Sequence, residues 1–208
     1  MTALAPLVFV VDDDPSVRRS LVRLLAAAGY PVEAFASARE FLTHPPHRGP
    51  CCLVLDVRMP DLTGIQLQEM LAATGRRLSI VFVTGHADVP TSVKAMKAGA
   101  VDLLTKPVDA QDLLAAIQRA VTRDGHDRAT AARRAEIQRR VSLLTTRETE
   151  VFALVVTGML NKQVAAALAI SEKTVKVHRA RVMEKMRAGS VAELVRLADE
   201  AGVTVPQA

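Results

Sequence analysis

The chain has 208 residues, half of them hydrophobic, and a formal net charge of +5. This length is enough for two modest domains, each with a core of its own. The apolar runs are too short to cross a bilayer and no signal-like segment begins the chain, so we expect a cytoplasmic protein that does not bind membranes.

The positive charge is unevenly distributed. Residues 1–121 contain 12 Lys+Arg and 12 Asp+Glu, residues 122–140 contain 6 and 3, and residues 141–208 contain 9 and 7. A neutral first half and a basic second half indicate that only the second half meets a polyanion, although such a small excess is also common on solvated surfaces.

Strands and helices alternate along the first 121 residues. The apolar run 7–11 stops on three carboxylates, and Pro15 begins a helix that Gly29 ends. Further apolar runs predict strands at 32–35, 53–55, 80–83 and 101–104, each followed by a helical pattern. This alternation predicts an α/β fold, a doubly wound five-stranded parallel sheet with helices on both faces.

Functional side chains follow four of these strands. They are Asp12 and Asp13 after the first, Asp56 after the third, Thr84 after the fourth and Lys106 after the fifth. Parallel strands deliver their carboxyl ends to one edge of the sheet, so we expect these residues to meet there.

The chemistry of this set points to phosphoryl transfer. Three close carboxylates repel one another unless a divalent cation such as Mg²⁺ lies among them. A lysine and a threonine hydroxyl beside a carboxylate provide the charge neutralisation and positioning that transfer to an aspartate needs. Asp56 is then the nucleophile, although the stretch 53–64 alone is equally consistent with an aspartate that starts a turn and caps the next helix.

Four motifs resemble the receiver domain of bacterial two-component response regulators. They are Val11-Asp12-Asp13, the run from Leu55 through Met59-Pro60-Asp61 to Gly64, Thr84-Gly85-His86 and Lys106-Pro107. The resemblance implies a flavodoxin-like receiver with Asp56 as phosphoacceptor, Thr84 and Lys106 as phosphoryl contacts, and a cis Lys106-Pro107 bond. It also implies a Mg²⁺ site formed by Asp12, Asp13, Asp56 and the backbone carbonyl of Arg58.

One position departs from the family pattern. Family members usually carry Phe or Tyr three residues before the lysine, and here that residue is Leu103. We keep Thr84 and Leu103 as the predicted switch, without the usual movement of an aromatic ring.

A rival hypothesis from another class is an enzyme. The run Asp12-Asp13-Asp14-Pro15-Ser16 also fits the pattern of haloacid-dehalogenase-like phosphatases, with Asp12 as nucleophile. Such an enzyme needs a further acidic pair at a strand end, whereas Asp109 and Asp112 fall at a helix start, and it would leave Asp56 without a role.

Residues 122–142 are predicted to connect two domains, 1–121 and 143–208. A break is expected at 124–127, followed by a solvated helical linker rich in alanine and arginine. The alternative, a nucleic-acid-binding arm, is weaker because three acidic residues are interspersed.

From residue 143 the pattern predicts a small all-α domain. A hydroxyl-capped helix ends at Gly158, a second helix at 161–168 starts on an Asn161 cap, and a turn at 169–171 leads into a third helix at 172–187. At 100° per residue, Val175, Val182 and Met186 share one side of the third helix. The opposite side carries Lys173, Lys176, Val177, Ala180 and Arg187. That basic side can enter a DNA groove, and the alternative is an ordinary solvated helix.

This region resembles the LuxR-type helix-turn-helix, most closely that of FixJ-like regulators. The resemblance rests on the runs 144–148, 161–165 and 170–179. It implies Lys176 and Val177 as base contacts, and Lys173, Thr174, Arg179, Arg181 and Lys185 as contacts to the DNA backbone. The last helix, 191–198, either packs the domain or forms a dimer contact.

Together these features predict a transcription regulator of a two-component system. A sensor histidine kinase phosphorylates Asp56 with Mg²⁺, and the protein then binds promoter DNA, as a homodimer when phosphorylated and with RNA polymerase as a possible further partner. The receiver would catalyse only its own phosphoryl transfer and dephosphorylation. Because of Leu103, the alternative is a regulator that binds DNA independently of phosphorylation.

Overall fold

The computed structural model describes residues 5–85 and 88–203, and it divides into two compact units, the first ending at Arg128 and the second beginning at Ala129. His86, the last residue of one receiver motif, lies outside the described residues. Within them, no helix combines the length and the apolar composition that crossing a membrane requires.

The first unit contains the predicted five-stranded parallel sheet. Its strands run in the order β2-β1-β3-β4-β5 and every neighbouring pair is parallel. The elements are β1 (Leu7–Val11), α1 (Pro15–Ala27), β2 (Val32–Phe35), α2 (Ala38–Thr43), β3 (Cys51–Asp56), α3 (Gly64–Ala73), β4 (Ser79–Thr84), α4 (Val89–Lys97), β5 (Asp102–Thr105) and α5 (Ala110–Ser142).

Both faces of this sheet are covered, which explains the continuous apolar runs of its central strands. Phe9, Leu53 and Phe82 pack on one face against side chains of α2, α3 and α4, which include Phe41, Leu67 and Ala95. On the other face, Val8, Val54 and Val81 pack against side chains of α1 and α5, which include Leu25 and Ile117. The sequence-based prediction of the fold class is therefore confirmed.

Helix α5 is continuous where a break was expected, so that prediction was wrong. The Asp124 side chain is only 4% exposed, and it accepts hydrogen bonds from the Cys51 backbone N–H at 2.9 Å and from the Arg128 guanidinium at 2.5 Å. Arg128 also donates to the backbone carbonyl of His47 at 3.1 Å. These contacts hold the helix against the loop before β3, and they offset the low helix propensity of Gly125.

The second unit is built from helices in the described residues. The end of α5 is joined there by α6 (Thr146–Val155), α7 (Asn161–Leu168), α8 (Glu172–Met186) and α9 (Val191–Ala201). Ile137 of α5 is buried in the same core as Phe152, Val164 and Leu194. The later part of the expected solvated linker therefore belongs to the packed domain.

The helix caps of this unit were predicted in part. Thr145 caps α6 as expected and forms a reciprocal capping box with Glu148. The Asn161 cap was wrong, because Leu160 occupies the N-cap position and its backbone N–H donates to the Gln163 side chain at 2.7 Å. Asn161 instead accepts a hydrogen bond from Arg179 at 2.8 Å.

We expect Asp124→Ala to destabilise the first unit by about 1–3 kcal/mol, because it leaves the Cys51 N–H and the Arg128 guanidinium without their buried acceptor. The measurement is the urea midpoint of unfolding, combined with amide exchange of β3. Asp127→Ala is the matched control, since it removes an exposed carboxylate of the same helix that pairs only loosely with Arg123. Equal midpoints for the two variants would contradict this role of Asp124.

Candidate phosphoryl-transfer site and nucleic-acid interface

The strand ends bring the predicted residues of the first unit together. Asp56 ends β3, Thr84 ends β4, and Asp12 directly follows β1. Asp12, Asp56 and Thr84 are all buried, at 1%, 7% and 0% exposure. Lys106 follows β5, and its backbone N–H donates to the Thr84 carbonyl at 2.8 Å. The edge of the sheet therefore places each of these residues where the alternation of strands and helices predicted it.

One ammonium group bridges two of the three carboxylates. The Nζ atom of Lys106 lies 2.7 Å from Asp12 Oδ2 and 2.9 Å from Asp56 Oδ2. Oxygen atoms of Asp12, Asp13 and Asp56 all lie within 4.8 Å of one another. The negative charge of three carboxylates is larger than the positive charge of one lysine. Hard oxygen donors suit Mg²⁺, and because Asp13 is exposed, the ion could keep some of its water ligands.

Burial and mutual hydrogen bonding shift the pKa values of Asp12 and Lys106. Burial raises the pKa of the Asp12 carboxyl above 3.8, against the opposing effect of its hydrogen bond from Lys106. Burial by itself lowers the pKa of Lys106, but the hydrogen bonds to Asp12 and Asp56 outweigh it, so the pKa is raised. Lys106 therefore remains charged at neutral pH, whereas an ionised Asp12 is costly until more positive charge arrives.

The turn after Asp56 is folded closely against it. The Arg58 backbone N–H donates to Asp56 Oδ1 at 3.3 Å, and the Gly64 N–H donates to the Val57 carbonyl at 3.0 Å. A Cβ atom on Gly64 would lie 2.2 Å from the backbone oxygen of Asp56, closer than any real contact. The sequence marked Gly64 as a turn residue, but only the tertiary structure shows this close approach.

Helix capping does not explain the Asp56 carboxylate. Thr63 is the N-cap of α3 and forms a capping box with Gln66. Similarly, Asp14, the last aspartate of the dehalogenase-like run 12–16, caps α1 by accepting hydrogen bonds from the backbone N–H groups of Ser16 and Val17. Asp109 accepts from the first N–H groups of α5. These placements favour a phosphoacceptor site over the phosphatase alternative.

Leu103 lies on β5 next to the site. It pairs in register with Phe82 of β4 and packs, partly buried, against the core cluster that contains Phe82. Its role as a switch partner of Thr84 stays a prediction.

Helix α8 of the second unit has the two faces that its sequence predicted. Val175, Val182 and Met186 are buried, whereas the opposite side is exposed, including Val177 at 46%. The exposed residues on that side are Lys173, Lys176, Val177 and Ala180. Arg187, predicted as the last residue of the helix, is also exposed but follows α8 as its left-handed C-cap. Ala169 begins the preceding turn in the left-handed conformation, with φ 52°, and Ser171 caps α8. The turn and the exposed basic face form a helix-turn-helix that can present α8 to DNA.

Two predicted DNA-backbone contacts already have partners inside this domain. Lys185 Nζ lies 2.6 Å from Glu148, a carboxylate that is only 2% exposed, and 3.0 Å from the Leu143 carbonyl. Arg179 donates to Asn161. Glu148 is visible in the sequence as a capping residue, but no local pattern reveals its distant lysine. Thr174 lies in the first turn of α8, hydrogen-bonded to Ser171, and Arg181 is exposed.

Comparison with known proteins identifies both units. Residues 8–118 match the family described as the response regulator receiver domain, and residues 142–198 match the bacterial regulatory proteins of the luxR family. The chain therefore belongs to the response regulators that join a receiver to a LuxR-type DNA-binding domain, in which phosphorylation controls transcription.

Relatives share this arrangement over nearly the whole chain. Nodulation protein W of Bradyrhizobium diazoefficiens is 46% identical, over 95% of this chain and 87% of its own length. The transcriptional regulatory protein FixJ of Azorhizobium caulinodans is 43% identical, over 94% and 93%. Among solved structures, response regulator StyR covers 94% of this chain and 99% of its own, with a TM-score of 0.84 and 45% identity. Full-length FixJ from B. japonicum covers 98% and 100%, with a TM-score of 0.58 and 41% identity.

We expect Gly64→Ala to destabilise the first unit by about 1–3 kcal/mol, because the new methyl group overlaps the backbone of Asp56. Urea unfolding measures the change. Gly125→Ala is the matched control, since a Cβ there meets only Pro50 at 3.9 Å in a helix interior, and it should stabilise by about 0.5–1 kcal/mol. Opposite signs for the two glycines are the expected outcome, and a neutral Gly64→Ala would refute the overlap.

The Glu148–Lys185 pair predicts acid sensitivity of the second unit. The hydrogen bond from Lys185, assisted by the Thr145 N–H, lowers the pKa of Glu148 to about 2, below its ordinary 4.5. A depressed acid pKa contributes stability above pH 4.5 that is lost as the pH falls towards 2. In that window the urea midpoint of the second unit should fall more steeply in the natural protein than in Glu148→Gln. Parallel midpoint curves would show that the pair contributes nothing.

Proposed function

We propose that Asp56 accepts a phosphoryl group from a sensor histidine kinase and that this modification controls promoter binding by α8. The observation that carries the proposal is the bridging position of Lys106 between Asp12 and Asp56 at a buried strand edge. In the transfer, an Asp56 oxygen forms the new P–O bond as the P–N bond to the kinase histidine breaks. Lys106 and Thr84 contact the phosphoryl oxygens, so that their charge is balanced and their position is fixed.

Asp12, Asp13, Asp56 and the Arg58 carbonyl would hold Mg²⁺ in this site. The cluster of hard carboxylate oxygens and the raised pKa of Asp12 both fit a cation. When bound, Mg²⁺ supplies the positive charge that allows an anionic phosphoryl group to approach an anionic aspartate. The receiver catalyses only its own phosphorylation and dephosphorylation.

The DNA-binding function is assigned to the exposed face of α8. Lys176 and Val177 are proposed to contact base edges, and Lys173, Thr174 and Arg181 to contact phosphates. Arg179 and Lys185 are weaker candidates because of their partners within the domain. One helix-turn-helix per chain favours a phosphorylated homodimer on a two-fold site, with RNA polymerase as a possible further partner. These partners place the protein in the cytoplasm.

We propose residues 1–121 as the receiver, 122–142 as the connecting segment and 143–208 as the DNA-binding domain. The connecting segment lies within α5, and its later part supplies Ile137 to the second core.

We expect Asp56→Asn to abolish phosphorylation by acetyl phosphate, because the amide nitrogen is not a nucleophile comparable to a carboxylate. Intact-protein and peptide mass spectrometry detect the added phosphoryl group. Asp61→Asn is the matched control, since Asp61 is exposed at a left-handed turn position that asparagine also tolerates, and it should be labelled normally. A label on Asp12 would instead favour the phosphatase hypothesis.

The same two variants test control of DNA binding. Genomic fragments enriched by the phosphorylated protein serve as the probe, and affinity is measured with and without acetyl phosphate. The proposal expects acetyl phosphate to tighten binding by the natural protein and by Asp61→Asn but not by Asp56→Asn. Equal affinities in all conditions would favour the second candidate, binding independent of phosphorylation, which Leu103 makes worth testing.

We expect Mg²⁺ to stabilise the first unit, by about 2.7 kcal/mol at a concentration one hundred times its Kd. The measurement is the thermal midpoint of unfolding with and without Mg²⁺. Asp12→Asn should lose most of this effect. Because the pKa of Asp12 lies above 3.8, its ionisation costs stability at neutral pH, so the variant without Mg²⁺ should be at least as stable as the natural protein. Asp14→Asn is the control, since asparagine caps α1 equally well. An undiminished Mg²⁺ effect in Asp12→Asn would place the ion elsewhere.

A further inference from the structure

A basic groove lies in the second unit between the end of α5 and the second half of α8. It encloses about 350 Å³. Its lining residues are Arg139, Arg140, Leu143, Arg181, Glu184, Lys185 and Arg187. We refer to it as the α5–α8 groove. The proposed function uses the exposed face of α8 for DNA binding but gives no role to Arg139 and Arg140 of α5.

The groove keeps a positive charge after its internal ion pairs are counted. Glu136 accepts hydrogen bonds from Arg139 at 2.9 and 3.0 Å and from Arg140 at 3.1 Å. Lys185 is paired with Glu148. Five lining cations therefore face three carboxylates, Glu184, Glu136 and Glu148, which leaves an excess of two positive charges. The Arg139 side chain remains 60% exposed although it pairs with Glu136, whereas the Lys185 side chain is 33% exposed and pairs with a buried carboxylate.

The groove is continuous with the proposed DNA-contact face. Arg181 of α8 and Arg187, which directly follows α8, line it and are exposed, and Arg181 is one of the proposed phosphate contacts. A helix in the major groove is flanked by the phosphates of both strands, which follow one another about every 1.7 Å along the duplex axis. An arginine beside such a helix is therefore placed to meet a phosphate.

We infer that the α5–α8 groove binds a DNA backbone phosphate beside α8, with Arg139 and Arg181 as its contacts. The inference rests on the proposed DNA-binding function and extends the DNA interface beyond the helix-turn-helix to the last turns of α5. Arg140 holds the groove in shape, because it also donates to the Met186 carbonyl at the end of α8, at 3.2 Å.

The test measures the salt dependence of binding to a short duplex of arbitrary sequence by the full chain. Each lost phosphate contact lowers the slope of log Kobs against log[KCl] by about 0.9. Arg139→Gln should show this loss. Arg123→Gln is the matched control, because Arg123 is an exposed arginine of the same helix that also pairs with a carboxylate, and its slope should not change. Lys173→Gln reports a phosphate contact made by α8 itself, because Lys173 is exposed on that helix.

A reciprocal variant keeps the inference testable if Arg139→Gln perturbs the helix. Glu136→Gln removes the carboxylate that Arg139 and Arg140 share, and it should tighten duplex binding. An unchanged slope for Arg139→Gln together with a lowered slope for Lys173→Gln would overturn the groove but leave the DNA-binding function standing. Unchanged slopes for both would overturn both. Reduced transcription with unchanged duplex binding by Arg139→Gln would also overturn the inference, in favour of an acidic protein partner.

Discussion

The negative charge collected at one edge of the sheet is the constraint on which the first unit depends. Parallel strands bring oxygen atoms of Asp12, Asp13 and Asp56 to within 4.8 Å of one another, and the Lys106 ammonium group opposes the repulsion between Asp12 and Asp56. A buried carboxylate without full compensation costs stability, which is why the pKa of Asp12 is raised. A cation at this edge, as proposed for Mg²⁺, would relieve the same cost. The carboxylates on which the proposed chemistry depends are therefore also a cost to folding.

The backbone around this edge is fixed by contacts that leave little freedom. Gly64 lies so close to the Asp56 carbonyl that no side chain fits, and the Thr63 capping box begins α3 directly before it. The opposite end of β3 is held in a comparable way, because Asp124 accepts the Cys51 N–H and an Arg128 donor. Both ends of the strand that carries Asp56 are thus tied to neighbouring elements by specific hydrogen bonds or close packing.

In the second unit, a buried charged side chain holds neighbouring helices together. Glu148 caps α6 and holds Lys185 of α8, so one carboxylate joins two helices of the second unit. Arg179 of α8 joins a further pair of helices, because it donates a hydrogen bond to Asn161 of α7. The basic composition of α8 therefore overstates the number of charges available to DNA. The charges that remain exposed lie on its outer face and along the α5–α8 groove.

The sequence by itself determined the alternation of strands and helices, the residues at the strand ends and the buried face of α8, because each follows from a local period or a turn signal. It also carried the family motifs, which the comparisons with known proteins confirmed. Only the tertiary structure decided features that join residues distant in the chain. Asp124 kept α5 helical across Gly125, where local propensity predicted a break, because its partners lie 73 residues away in β3 and one turn along the helix. Similarly, the pairing of Lys185 with the buried carboxylate of Glu148, 37 residues earlier, is visible only in the tertiary structure.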